Sequence, residues 1–224
     1  MKKIVAFGAS SSKESINKAL ARYALSQVKN SIPIILDLND FEMPIYGIDR
    51  EKKEGIPKLA FEFNEILKKA DGIIISFAEH NGAYTVAFKN IFDWISRIEK
   101  IVWHNKPMFL LATSNGDRGA QKVLEIAYSR ISLDNPYQIP IFSLPNFEKN
   151  FTEEKGILKK DLKKEFEKAL SLFVSNINWM EITIFKKEDQ ANGNFNNGEI
   201  LEKKPIGFPQ DGGELKPYSN IFYW

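Results

Sequence analysis

The sequence predicts an α/β fold, a five-stranded parallel sheet covered by helices on both faces. Short β-rich apolar runs alternate with helical patterns from the N-terminus to about residue 180. One of these runs, "GIIISF" (72–77), is apolar on both faces, as a central parallel strand is. The strand–helix alternation then calls for right-handed crossovers, which leave few topologies open.

The first strand is "KIVAFG" (3–8). Ile16, Ala19, Leu20, Tyr23 and Gln27 follow at helical spacing. "IPIILDL" (32–38) is the second strand, followed by the Pro- and Gly-punctuated "NDFEMPIYGIDREKKEG", which reads as a loop. Pro57 opens the next helix, with Leu59, Ala60, Phe63, Ile66, Leu67 and Ala70 turned inward. After the third strand (72–77), a helix is expected from about Tyr84 to Ile98. It is too apolar for one core-facing stripe, which implies burial on a second side and a subunit interface. "KPMFLLAT" (106–113) is the fourth strand, Ala120, Val123, Leu124 and Ala127 mark a helix, and "IPIFSL" (139–144) is the fifth strand. A charged helix bearing Leu158, Leu162, Phe166, Leu170 and Phe173 closes the pattern, its "KKDLKKEFEK" run a solvated face.

Composition narrows the function. With 31 basic and 29 acidic residues the formal charge is +2, which gives no reason to expect nucleic acid or an anionic membrane as partner. Cysteine is absent, so disulfides, zinc–thiolate sites and cysteine nucleophiles are excluded, and a reducing cytoplasm fits. The apolar run in "MKKIVAFGASSSK" is shorter than the ~7–15 residues of a signal h-region, and no stretch approaches the ~18 apolar residues of a membrane span.

In such sheets ligands sit beyond the carboxyl ends of the strands, so the loops after strands one, three and four matter most. The first, "ASSSKESIN" (9–17), gathers Ser10, Ser11, Ser12, Ser15 and Asn17 before a helix. It reads either as a phosphate cradle at a helix N-terminus or as a capped helix start with surplus hydroxyls. The second places Glu79, His80, Asn81 and Gly82 directly after a strand. These are either site groups or, more plainly, a surface histidine and a helix-dipole partner. The third, "ATSNGDRGAQK" (112–122), offers Thr113, Ser114, Asn115 and Gly116 beside the first two, or else only a surface turn. No Gly-x-Gly-x-x-Gly or Walker pattern, paired carboxylates, Ser/His/Asp order or metal spacing is present, and His80 and His104 lie on different segments.

These three segments, in register, resemble the NADPH-dependent FMN reductase family of flavodoxin-like proteins. Against the family's Gly-Ser-x-Arg-x-x-Ser-x-Asn loop, Ser10, Ser15 and Asn17 match, while Ala9 replaces the glycine and Ser12 the arginine. Against its Pro-Glu-Tyr-Asn segment and Leu-Lys-Asn-x-x-Asp-Trp helix, Glu79, Asn81, Lys89, Asn90, Asp93 and Trp94 match, while Ala78, His80 and Phe88 depart. "KPMFLLATSNGDRGAQK" resembles the family's Lys-Pro strand with its Ser-x-Gly turn.

The resemblance covers residues 1 to about 180 and implies a flavodoxin-like three-layer α/β/α sandwich, strand order 2-1-3-4-5, as an FMN-binding domain (1–180). It assigns Ser10, Ser15 and Asn17, with Ser12 and Ile16 in the same loop, to the FMN phosphate. Ala78, Glu79, His80, Asn81 and Gly82 would border the ring on one side, and Ser114, Asn115, Gly116 and Gly119 on the other. It also implies ping-pong hydride transfer from NADPH or NADH through FMN to a flavin, quinone or azo acceptor. The chemistry would be carried by the cofactor with no dedicated side-chain acid or base. A homodimer or homotetramer and a cytoplasmic location are expected. The alternatives are a flavodoxin-like electron carrier, which the +2 charge disfavours, and a non-catalytic binding protein.

After Trp179 the composition turns glycine- and proline-rich. Residues 181–224 read as an extension, with 181–188 and 198–204 as a weak hairpin and the aromatic "YSNIFYW" end docked on a protein surface or disordered.

Overall fold

In a computed structural model of the chain, residues 1–133 and 135–191 are described. Met1–Phe185 form one compact unit; of Lys186–Trp224, only the end of the last helix falls in the described range. In chain order the elements begin with β1 (Lys2–Ala9), α1 (Ile16–Ser26), β2 (Ser31–Leu36), a 3-10 turn (Leu38–Phe41), α2 (Ile48–Glu54), α3 (Lys58–Lys68) and β3 (Gly72–Phe77). A hairpin of β4 (Glu79–His80) and β5 (Ala83–Tyr84) leads to α4 (Val86–Ile95), β6 (Met108–Thr113), α5 (Gln121–Ile131) and β7 (Ile141–Leu144). The described chain ends with α6 (Phe147–Asn150), a second hairpin of β8 (Phe151–Thr152) and β9 (Gly156–Ile157), and α7 (Lys160–Ala191).

The main sheet runs β2-β1-β3-β6-β7 with every pair parallel. Counting its strands alone, that is the expected 2-1-3-4-5. Alternation along β1 sends Val5, Phe7 and Ala9 to one face and Ile4 and Ala6 to the other. The first face is covered by α3, α4 and α5 through Phe63, Leu67, Phe88, Trp94, Val123 and Ala127. The second is covered by α1 and α7 through Leu20, Ala24, Phe166 and Phe173. Each fully buried aromatic or aliphatic side chain here stabilises the fold by about 1.5–3 kcal/mol.

Three expectations change. The loop after β2 contains α2, a helix with no buried residue, so no apolar period marks it. Residues 181–188 belong to α7 and are not a hairpin strand; no glycine or proline interrupts the chain between Gly156 and Gly193, so the helix propagates. Most of the apolar surplus of α4 is covered within the chain, with Val86 left exposed. The 43–46 loop is tied to α4 by Trp94 Nε1 donating to Pro44 O at 2.7 Å and by Asn90 exchanging hydrogen bonds with Tyr46 N and Met43 O, and Trp103 packs on Phe88 and Phe92. The second hairpin strand (198–204) and the "YSNIFYW" end lie outside the described residues. Among the described residues no helix is long and apolar enough to cross a membrane.

Candidate functional site

At the carboxyl ends of β1, β3 and β6 the three loops meet. Gly8 makes the first possible. A Cβ there would lie 2.5 Å from Lys18 N and 2.9 Å from Asn17 C, so only glycine lets the first turn of α1 sit against the end of β1. Ser15 is the N-cap of α1, its Oγ accepting from Lys18 N at 3.2 Å. Ser10 N donates to Gly8 O at 2.8 Å, and Ser10 Oγ accepts from Ser12 N at 3.1 Å, folding the loop into a turn. Capping thus uses one serine and the turn another; Ser11 and Ser12 are exposed.

The N–H groups of Ile16 and Asn17, at the first two positions of α1, have no partner within the helix. The first turn of α1 also carries no acidic residue, so its positive end is not neutralised from within. Lys18, one turn in, is ion-paired with Asp37. This hydrogen bond is the main reason the Asp37 carboxyl lies below the usual carboxylate range.

Asn17 faces inward. Its Oδ1 accepts from Ser76 Oγ at 2.7 Å and from Thr113 N at 3.1 Å, and its Nδ2 donates to Thr113 O at 3.1 Å. The side chain therefore joins α1 to the ends of β3 and β6.

In the second loop, Asn81 (φ 53°) and Gly82 (φ 76°) form the two-residue turn between β4 and β5. Two central residues with positive φ suit a type I′ hairpin, and Asn-Gly is the strongest short signal for one. Glu79 Oε2 accepts from Val123 N at 3.1 Å, so its carboxylate caps α5, which has no side-chain cap of its own. The helix-dipole reading of Glu79 thus matches a real bond, while His80 and Asn81 are exposed at the hairpin. Ala78 is half-buried between β3 and the hairpin. Thr85 locks the hairpin in place: its Oγ1 donates to Ala9 O at 2.9 Å and accepts from Phe88 N at 3.2 Å as the N-cap of α4.

The third loop is braced from behind. Thr113 Oγ1 donates to Leu144 O at 2.6 Å, Phe147 N to Ser114 O at 3.1 Å, and Asn146 N to Gly116 O at 3.1 Å. Asn115 Nδ2 donates to Glu148 Oε1 at 2.7 Å, so that side chain is held toward the 146–148 segment. Gly119 adopts φ 56° where a Cβ would meet Ser143 Oγ at 2.4 Å and Pro145 N at 2.8 Å, so glycine is required. The sequence reading misses Thr85 and Ser76, and offers Thr113 only as a loop hydroxyl and not as an organiser, since their partners are distant in the chain. Among the described residues no group of three His, Asp or Glu side chains is placed to hold a metal. His104 Nε2 is 3.0 Å from Asn64 Oδ1, far along the chain from His80.

The model of the NADPH-dependent FMN reductase family matches residues 2–130. The chain belongs to this family. A quinone reductase of Escherichia coli (strain K12) is 30% identical over 93 residues, 42% of this chain and 47% of that protein. An NADPH azoreductase of Bacillus sp. (strain OY1-2) is 26% identical over 132 residues, 58% and 68%. The chain thus spans about half the length of the quinone reductases it matches. Among solved structures, FerB, a flavoenzyme NAD(P)H:(acceptor) oxidoreductase from Paracoccus denitrificans, superposes with a TM-score of 0.64 at 19% identity, over 80% of this chain and 98% of its own. RosB with a bound 8-demethyl-8-formylriboflavin-5'-phosphate superposes with a TM-score of 0.64 at 13% identity, over 98% and 100%. At these identities the likeness is one of fold.

Proposed function

We propose that the protein is an NAD(P)H-dependent oxidoreductase that holds FMN and passes electrons to a small acceptor, a flavin, quinone or azo compound. The observation that carries this reading is the start of α1: free N–H groups, no acid in the first turn and a hydroxyl-rich loop, at the same sheet edge as two braced loops. That donor set fits a terminal phosphate, and membership of the family supports the choice of FMN.

Ser10, Ser12, Ser15 and the N–H groups of Ile16 and Asn17 would hold the phosphate. Backbone and side-chain groups of Ala78–Gly82 would border the ring on one side, and Ser114, Asn115, Gly116 and Gly119 on the other. Bound FMN supplies hydride acceptance and electron delivery, so the protein's work is orientation and electrostatics. N–H groups of the 78–82 and 113–119 loops would face the negative charge that reduction brings. If donor and acceptor used the same side of the ring in turn, turnover would be ping-pong.

The exposed Val86 and Ile45 flank a cleft of about 290 Å³ lined also by Tyr46, Ala83 and Tyr84, with Lys89, Asn90 and Asp93 on its polar side. Val86 and Ile45 are the apolar side chains through which a homodimer would form beside the site. A chain without cysteine is at home in a reducing cytoplasm.

The test is spectroscopic. The purified protein should take up added FMN, lose its yellow colour under anaerobic NADPH and regain it when a quinone is added. A protein that binds no FMN overturns the reading, and one that binds it but is not bleached by either nicotinamide is a carrier instead.

A further inference from the structure

Asn17 is the polar residue of the first loop buried deepest in the fold, at 2% exposure. A carboxamide can accept two hydrogen bonds and donate two. Here three of the four are made, all to the ends of β3 and β6. Ser76, buried in the middle strand, gives its hydroxyl to this carboxamide. Thr113 is gripped at both N–H and C=O, and its own hydroxyl passes the restraint on to Leu144. The partners lie 59 and 96 residues from Asn17, so nothing local requires the arrangement.

We infer that the Asn17 side chain is a positioning group and not a phosphate ligand: it fixes the distance between the anion-receiving end of α1 and the Thr113–Ser114 end of the ring-side loop. The inference rests on the FMN reading above. A flavin mononucleotide carries its phosphate and its ring on one tether, and gripping one end raises the effective concentration of the other only if the two grips are correctly spaced. Asn17 sets that spacing from the inside. The phosphate itself is met by the hydroxyls and the N–H groups of the same turn.

This makes a distinctive prediction, because each end alone should be indifferent to Asn17 while the two together are not. In Asn17→Ala, the Kd for FMN should rise about tenfold or more, while the Kd for riboflavin and the inhibition constant of inorganic phosphate change by less than about threefold. Without any flavin, hydrogen exchange at the Thr113 amide should quicken in the variant. Ser76→Ala leaves both Asn17–Thr113 bonds in place, so it should act in the same direction by a smaller factor. Should Asn17→Ala fail to fold, Ser76→Ala decides by the same pattern: a rise in the FMN Kd that exceeds any change in the riboflavin Kd and the phosphate inhibition constant supports the inference, and equal changes or none overturn it.

A phosphate inhibition constant that rises together with the FMN Kd makes the side chain a direct ligand and overturns the inference. Equal weakening of FMN and riboflavin means general loosening and overturns it too, as does unchanged FMN binding. Wild-type protein that takes up no FMN fails before any substitution is made, and then the flavin reading itself falls.

Discussion

A methyl group at Gly8 would press on the backbone of Lys18 and Asn17 and not on a side chain that could swing away. Gly8→Ala is therefore expected to cost about 1–3 kcal/mol of stability. It should also weaken FMN binding, because α1 must back away from β1. Urea denaturation and flavin titration check this; an unchanged midpoint would mean that the helix start moves freely. Tyr84 presents the opposite case. Its hydroxyl is buried with no hydrogen-bond partner among the described residues, and burial pushes its pKa up to about 12. The ring packs on Phe77 and Phe88 at 5.7 and 5.0 Å, contacts that phenylalanine keeps. Tyr84→Phe should leave stability unchanged or raise it by up to about 1 kcal/mol in a thermal melt.

At the level of elements, the Lys18–Asp37 pair ties α1 to the 3-10 turn after β2, where Asp37 Oδ1 also accepts from Asn39 N at 3.0 Å. Because Asp37 is held below its ordinary range, the unfolded chain takes up the proton first as pH falls. The stability from this group is fully present above pH ~4 and is lost as pH drops through the folded value. Asp37→Asn should lower the melting temperature at neutral pH and flatten its fall below pH ~4. Melting curves across that range give the check; an acid limb of wild-type steepness would assign it to other carboxylates.

The same scale shows what a sequence can disclose. β3 and β6 are legible because both faces of a central strand are buried, which leaves unbroken runs such as "GIIISF" and "MFLLAT". α2 is illegible because it buries nothing, and its Arg50–Glu54 pair resembles any charged loop. In the site, the serines of the first loop stand together in the chain and can be read there. Glu79 meets Val123 across 44 residues, so its bond to α5 exists only after folding. Asn81-Gly82 is an intermediate case: the dipeptide carries its hairpin signal openly, yet its strands are only two residues long and leave no alternation to find.

For the molecule as a whole, the apolar face of α4 is largely spent inside the chain, and what remains for a neighbour is small. Val86 and Ile45, each 69% exposed, are its centre. If the homodimer forms there, Val86→Glu should convert it to monomers in light scattering while FMN binding and thermal stability stay near wild type. A variant that remains dimeric would place the contact elsewhere.

The tie between Asn17 and Thr113 also has a consequence in time. Contacts this distant in sequence form late, after the intervening chain has paid its loop-closure entropy. During synthesis the first loop emerges before the third, and its spacing cannot be set until residue 113 has cleared the ribosome and β6 has docked beside β3. A nascent chain halted before β6 should carry a well-formed α1 start and still be unable to retain a flavin. If Asn17 sets the spacing as proposed, cofactor loading would wait on the fourth strand of the sheet, although the groups proposed to receive the phosphate precede it in the chain.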